Sequence, residues 1–93
     1  MKTLTIQIGN SDDKLTQVRW SQFIFRVSAL INVQAARIHF FSPSPGDATW
    51  QNAAWVFEIE AGMIPRLILE LTEIRVEFDQ TAIAITEGET IFI

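Results

Sequence analysis

The order in which two kinds of hydrophobic periodicity follow one another constrains the fold of this chain most. Four segments have side chains of one class at every second position and side chains of another class at the positions between: residues 3–8, 36–41, 55–60 and 82–86. Residues 15–33 and 63–78 instead repeat apolar side chains every three or four positions. The first pattern is typical of a strand with one buried face and the second of an amphipathic helix. The chain is therefore predicted to run β-α-β-β-α-β.

Turn-forming and helix-capping residues separate these segments. Residues 9–13 (GNSDD) end the first strand and offer N-cap oxygens and acidic groups to the first helix. Residues 42–47 (SPSPGD) form a loop. Pro65 falls in the first turn of the second helix, where its missing amide proton is tolerated. Residues 87–89 (EGE) predict a final turn that leads into a short strand at 90–93.

With right-handed crossovers, these elements close into one antiparallel sheet with both helices on one face. The predicted fold class is α+β, a ferredoxin-like βαββαβ plait with an extra C-terminal hairpin strand, in a single domain over residues 1–93. This fold hosts many unrelated functions, so the function must be argued from the surface.

Composition narrows the class of protein. Apolar residues make up 48% of the 93 residues and charged residues only 19%, below the roughly 25% charge of ordinary soluble domains. A net charge of −4 disfavours binding to nucleic acid or to an anionic membrane. The chain has no cysteine, no signal-peptide core near its start and no apolar run of membrane-spanning length. A cytoplasmic protein is the expectation.

Each helical segment carries more apolar surface than a two-layer domain can bury. Helical spacing predicts that the core stripes consist of Trp20, Phe23, Ile24, Val27, Leu30 and Ile31 in the first helix and Ile64, Leu67, Leu71, Ile74 and Phe78 in the second. A second arc in the first helix contains Leu15, Val18, Phe25, Ala29 and Val33, and the second helix adds Leu69 and Val76. We expect this second set on the outer surface, where it is free to bind another chain.

The predicted function is therefore that of a non-catalytic module that forms a homodimer or higher homo-oligomer, or binds one protein partner. The expected interface consists of Val18, Gln22, Phe25, Arg26, Ala29, Leu69, Thr72 and Val76. The first helix is basic and the second is mostly acidic, so a two-fold mate that places its second helix over the first would match the charges.

Two alternatives to this interface, and one question about its origin, remain open at this stage. In the first, these side chains are single exposed apolar residues, which are normal on protein surfaces. In the second, the C-terminal hairpin of the same chain folds over them. The question of origin is whether the interface is natural or engineered on a plait scaffold, because natural monomers usually place Lys, Glu or Gln at such outward positions. The exposed fraction of these side chains and the position of the last residues distinguish the first two.

Catalytic, metal and cofactor sites are not predicted. His39 is the single histidine, and its strand faces Glu58 and Glu60 of the next strand. No serine, cysteine or ligand set completes a mechanism around them, so ordinary cross-strand charge pairing is the preferred interpretation. The outward residues of the first and third strands are polar or acidic without aromatic stacking groups, which disfavours RNA binding.

The loop between the second and third strands is the one local candidate for a recognition site. Trp50 and Asp47 lie in it among small and polar residues. The alternative function is therefore a small ligand-binding or regulatory domain that uses residues 42–52, or a cleft at a dimer interface. A structural role, in which Trp50 folds back over the end of the core, is the competing interpretation.

Overall fold

The computed structural model of the chain describes residues 1–10 and 14–93. Its four strands and two helices follow the predicted order, with a short 3₁₀ turn, Ala61–Met63, before the second helix. The elements are β1 (Lys2–Gly9), α1 (Gln17–Gln34), β2 (Arg37–Pro43), β3 (Asn52–Ile59), α2 (Ile64–Glu77) and β4 (Ala84–Gly88).

The four strands form one sheet in the order β2-β3-β1-β4, and every neighbouring pair is antiparallel. Since β1 and β2 flank β3 and run in the same direction, α1 is the crossover between them, as the βαβ rule requires. The predicted ferredoxin-like α+β class is confirmed.

The core lies between one face of the sheet and the two helices. Alternate residues of β1 and β3 enter it, and every one of them is buried: Leu4, Ile6, Ile8, Ala53, Trp55, Phe57 and Ile59. The predicted helix stripes meet them, with Ile24, Leu30 and Ile64 partly buried and the other members buried. In the described part of the chain no helix lies on the opposite face of the sheet, which is called the open face below.

Helix ends differ from the prediction at the start of α1. The N-cap is Thr16, whose hydroxyl accepts a hydrogen bond from the Arg19 amide at 3.2 Å. The expected cap at residues 9–13 is therefore wrong for Gly9 and Asn10, and residues 11–13 lie outside the described residues. Leu15 precedes the helix and is buried, so its assignment to the outward arc is wrong.

Strict alternation over residues 36–41 predicts Phe40 on the same face of the strand as Ile38 and Phe41 on the other face, and a β-bulge in β2 reverses this assignment. Pairing with β3 shifts by one residue between Ile38 and Phe40, and an extra residue moves all later side chains to the other face. Phe40 therefore lies opposite Val56 on the open face. Phe41 lies opposite Trp55 on the helix side, and the two rings stack with centroids 5.1 Å apart.

The expected last strand is not formed, because residues 90–93 have no strand pairing. These residues instead lie against the open face. The Thr90 hydroxyl donates to the Thr3 hydroxyl of β1 at 2.9 Å. The Phe92 ring lies edge-on to His39 of β2, with centroids 5.7 Å apart. The last residues therefore do not cover the outer surface of the helices.

Candidate interaction surface

The outward side of α1 is apolar over two turns. Val18 is 67% exposed and Phe25 is 70% exposed, and their spacing of seven positions, close to two helical turns, brings both to the same side of the helix, away from the sheet. Gln22 and Ala29 lie beside them and are also exposed. The spacing along the series Val18, Gln22, Phe25 and Ala29 is four, three and four positions, which is the spacing of a helix–helix seam.

The outward side of α2 repeats this arrangement. Leu69 is 61% exposed and Val76 is 65% exposed, again seven residues apart. Thr72 lies between them, exposed, and its hydroxyl bonds the Ile68 carbonyl within the helix at 2.7 Å. Both helices thus present apolar side chains in the direction opposite to the core. We call the outward residues of α1 and α2 together the helical face.

A groove between the two helices divides the helical face. One end is a hollow of about 450 Å³ whose lining includes Phe25 and Phe78. The other end is a hollow of about 440 Å³ lined on the α1 side by Ala29, Leu30 and Val33. The helical face therefore combines projecting apolar side chains with recesses beside them, which a packed interface requires.

Charged side chains bridge the groove within the chain. Both carboxylate oxygens of Glu77 accept from Arg26 Nη1 at 2.6 Å, with each side chain a little over 40% exposed. The Arg19 guanidinium lies 4.3 Å from the centre of the Phe78 ring, a favourable cation–π contact. At this exposure the ion pair contributes little to folding, so its larger effect is to orient both side chains in the groove.

All eight residues predicted for the interface are exposed and lie on α1 or α2. The structure also places Val33 on this face at 83% exposure and Ile68 near it at 46%. Sequence spacing put Val33 in the same arc but did not single out Ile68, which lines a small hollow together with Ile85 of β4. Whether another chain binds this face stays a prediction.

The β2–β3 loop presents its aromatic residue to solvent. Trp50 is 67% exposed, so the idea that it folds back over the core is wrong. Asp47 is exposed in the turn of this loop. Next to the loop, a hollow of about 470 Å³ on the open face is lined by Gln7, Ile8, Phe40, Ser42, Pro43, Ser44, Asn52, Ala53 and Ala54.

Buried amide side chains anchor the end of this loop. The side chain of Asn10, 4% exposed, donates to the Leu15 carbonyl and to Gln51 Oε1 and accepts from the Leu15 amide, at 3.0 to 3.1 Å. Gln51 in turn exchanges two side-chain hydrogen bonds with Gln17. Sequence reasoning missed this network, because Asn and Gln in loops are usually solvated and only the fold shows that they meet.

His39 and Glu58 meet as predicted, on the open face. His39 Nε2 lies 3.6 Å from Glu58 Oε1, and both side chains are largely covered. That nitrogen is buried and makes no hydrogen bond in the described part of the chain. Across residues 1–10 and 14–93, no three His, Cys, Asp or Glu side chains group as metal ligands do, and no described helix is long and apolar enough to span a membrane.

Comparison with known proteins identifies the fold and not a function. No protein-family profile and no curated protein matches the chain. A dimeric ferredoxin-like protein of unknown function from Thermobifida fusca YX superposes with a TM-score of 0.65 and 12% identity, covering 97% of this chain and 92% of the other. Hydroxynitrile lyase from Passiflora edulis gives 0.61 and 14%, covering 97% and 96%.

A de novo designed protein, Foldit4, also shares the fold. Its TM-score is 0.58 at 11% identity, with 97% of this chain and 96% of the design covered. An enzyme, a dimer of unknown function and a design thus have the same architecture, as expected for a widely used fold. At these identities the similarity shows the ferredoxin-like fold alone.

Proposed function

We propose that this chain is a non-catalytic interaction module that self-associates through its helical face. The observation that carries the proposal is that Val18, Phe25, Leu69 and Val76 point straight away from the core and are each more than 60% exposed. A contiguous exposed apolar surface is the usual mark of a protein–protein interface. The dimeric ferredoxin-like neighbour supports the idea that this fold self-associates.

The size of the face is sufficient for a specific interface. The two longer dimensions of the chain are 36 and 30 Å, so one broad face covers on the order of 1,000 Å², compared with about 800 Å² buried per partner in a stable complex. Burying about ten of these side chains, five from each copy, contributes on the order of 10 kcal/mol. Association costs about 4 to 15 kcal/mol, so we expect a concentration-dependent equilibrium between monomer and dimer.

A pair of double variants tests this proposal. Phe25→Lys with Leu69→Lys places two charges on the helical face, and we expect a folded monomer. Phe40→Lys with Trp50→Lys places the same two charges on the open face and its loop, and we expect the oligomer to persist. The readouts are light-scattering mass and circular dichroism. Persistence of the oligomer in the first variant, or its loss in the second alone, would contradict the proposal.

The second candidate function is a small ligand-binding domain at the β2–β3 loop. The hollow of about 470 Å³ at the base of this loop favours it, because its lining joins the apolar Phe40 to the polar side chains of Gln7 and Asn52. A ligand screen by thermal shift tests it, with Phe40→Ala, which removes an apolar side chain from the lining, as the control. A stabilising compound whose effect disappears in that variant supports this function.

A further inference from the structure

The charges of the two helices restrict how two copies can meet. Within its bounds α1 has the basic residues Arg19 and Arg26 and no acidic residue, whereas α2 carries three glutamates and two arginines. Stacking α1 on α1 would therefore oppose like charges, and so would stacking α2 on α2 near its glutamates. Charge complementarity favours α1 of one copy on α2 of the other.

The contacts within one chain set the level at which these helices face each other. Arg26 reaches Glu77, and Gln34 donates to Glu70 at 2.6 Å, so α1 and α2 are antiparallel with those residues side by side. A two-fold axis that runs along the groove keeps every residue at its own level. It therefore places α1 antiparallel on α2 of the second copy without any further shift along the helices.

This placement brings the outward apolar residues together. Phe25 then lies opposite Val76 of the second copy, Ala29 opposite Thr72, and Val33 opposite Leu69. The two residues of each facing pair differ in height along the helices by less than about one helical turn. Each of these residues is exposed in the single chain. Helices packed at the usual separation of about 8 to 10 Å would bury all six side chains in each half of the interface.

The same axis turns the ion pair into a ring. Arg26 and Glu77 are side by side across the groove of one copy, at 2.6 Å, and rotation about the groove places Glu77 of the second copy over Arg26 and Arg26 of the second copy over Glu77. Four charges of alternating sign then surround the axis. Resting on the proposed self-association, we infer that a second copy binds the helical face about this axis, with the Arg26–Glu77 quartet setting its register.

A charge-reversal pair tests the quartet. Arg26→Glu gives a ring of four carboxylates in the homodimer and Glu77→Arg gives four guanidinium groups, so each variant alone should self-associate at least ~10-fold more weakly than the parent chain. In an equimolar mixture every charge faces an opposite charge on the other copy. We expect the mixture to form a heterodimer within a few-fold of the parent affinity.

Within each variant chain, positions 26 and 77 carry like charges both before and after mixing. A recovery of association on mixing is therefore attributable to contacts between copies. Circular dichroism of each variant checks that it is folded. Failure of the mixture to associate, while the parent is dimeric and Phe25→Lys with Leu69→Lys is monomeric, overturns this arrangement and leaves the proposed function standing. A parent chain that stays monomeric overturns the proposed function and this arrangement with it.

Cysteine cross-linking provides an independent check of the register, because the chain contains no cysteine. Mixed Ala29→Cys and Thr72→Cys chains should form a disulfide across the interface, since facing seam positions approach the Cα separation of about 4.4 to 6.8 Å that the bond needs. Ala29→Cys alone should not, because the two copies of that position lie diagonally across the axis. Efficient cross-linking of Val18→Cys with Ala29→Cys chains would show α1 on α1 and overturn the arrangement.

Discussion

Two phenylalanines on the same helix provide a direct test of which side of α1 belongs to the core. Phe23 is fully buried, stacks on Phe78 with ring centroids 5.0 Å apart and meets Trp20 edge-on at 6.0 Å. Phe25, two residues later, is 70% exposed. Replacing each by alanine therefore removes the same atoms from opposite environments.

Phe23→Ala should destabilise the monomer severely. Large-to-small changes of a buried phenylalanine cost about 3 to 5 kcal/mol, whereas a chain of 93 residues has a total stability on the order of 5 to 14 kcal/mol. Phe25→Ala leaves no cavity, and alanine is the better helix former by several tenths of a kcal/mol. We therefore expect the free energy of unfolding of this variant to change by less than about 0.5 kcal/mol.

Self-association should be weakened more by Phe25→Ala than by Phe23→Ala, provided that Phe23→Ala still folds. If Phe25 contacts a second copy, its truncation should cost about 2 kcal/mol or more in the dimer, which is roughly a 30-fold increase in Kd. Urea unfolding of dilute monomer, followed by tryptophan fluorescence, measures stability, and sedimentation equilibrium measures association. A urea midpoint for Phe25→Ala as low as that of Phe23→Ala would refute the assignment of the helix faces.

Substitutions at three further positions test local features of the fold. Asn10→Ala removes the side chain that bonds both the amide and the carbonyl of Leu15, and at about 1 to 3 kcal/mol for each unsatisfied buried group the melting temperature should fall by several degrees; an unchanged value would show that water replaces the side chain. Asp79 follows the end of α2 with a left-handed φ of 51°, a conformation that glycine adopts at lower cost. Asp79→Gly should therefore leave the free energy of unfolding in urea unchanged or raise it by up to about 1 kcal/mol. A lower free energy of unfolding would mean that the aspartate side chain itself stabilises the turn. Thr16→Ala removes the N-cap of α1 and should cost about 1 kcal/mol, and Thr16→Ser should retain most of it; equal losses in both variants would argue against capping.

The periodicity of the sequence was sufficient to predict the layers of this fold. Apolar periodicity indicates which side chains are buried. The alternation at Leu4, Ile6 and Ile8 and the helical spacing of Phe23 and Val27 both identified residues that the structure buries. The eight predicted interface residues were found exposed for the same reason, because helix wheels separate a core side from an outer side.

The errors fall where local pattern and tertiary geometry diverge. The bulge at His39 exchanges the faces of Phe40 and Phe41, and two adjacent phenylalanines give no sequence signal to choose between them. Leu15 fits the outward arc only if the helix includes it, but the helix begins after Thr16. A strand was expected at residues 90–93 after a turn at residues 87–89, yet β4 continues to Gly88 and residues 90–93 lie across the open face without strand pairing.

The hydrogen bonds at the end of the β2–β3 loop and the ion pair in the groove could not be predicted from the sequence, for a different reason. The Asn10–Gln51 bond joins residues 41 positions apart and the Arg26–Glu77 pair joins residues 51 positions apart. Spacing along the chain predicts neighbours within one element, and such distant pairs follow only when the helices and strands have been assembled. The groove and its ion pair were therefore visible only in the assembled fold.

The absolute mass of the chain in solution, measured by light scattering on a sizing column over a wide range of concentrations, tests the central claim most directly. Self-association through the helical face predicts a mass that rises with concentration from that of one chain, 10.6 kDa, toward that of two. A constant mass of one chain up to the highest concentration would contradict it.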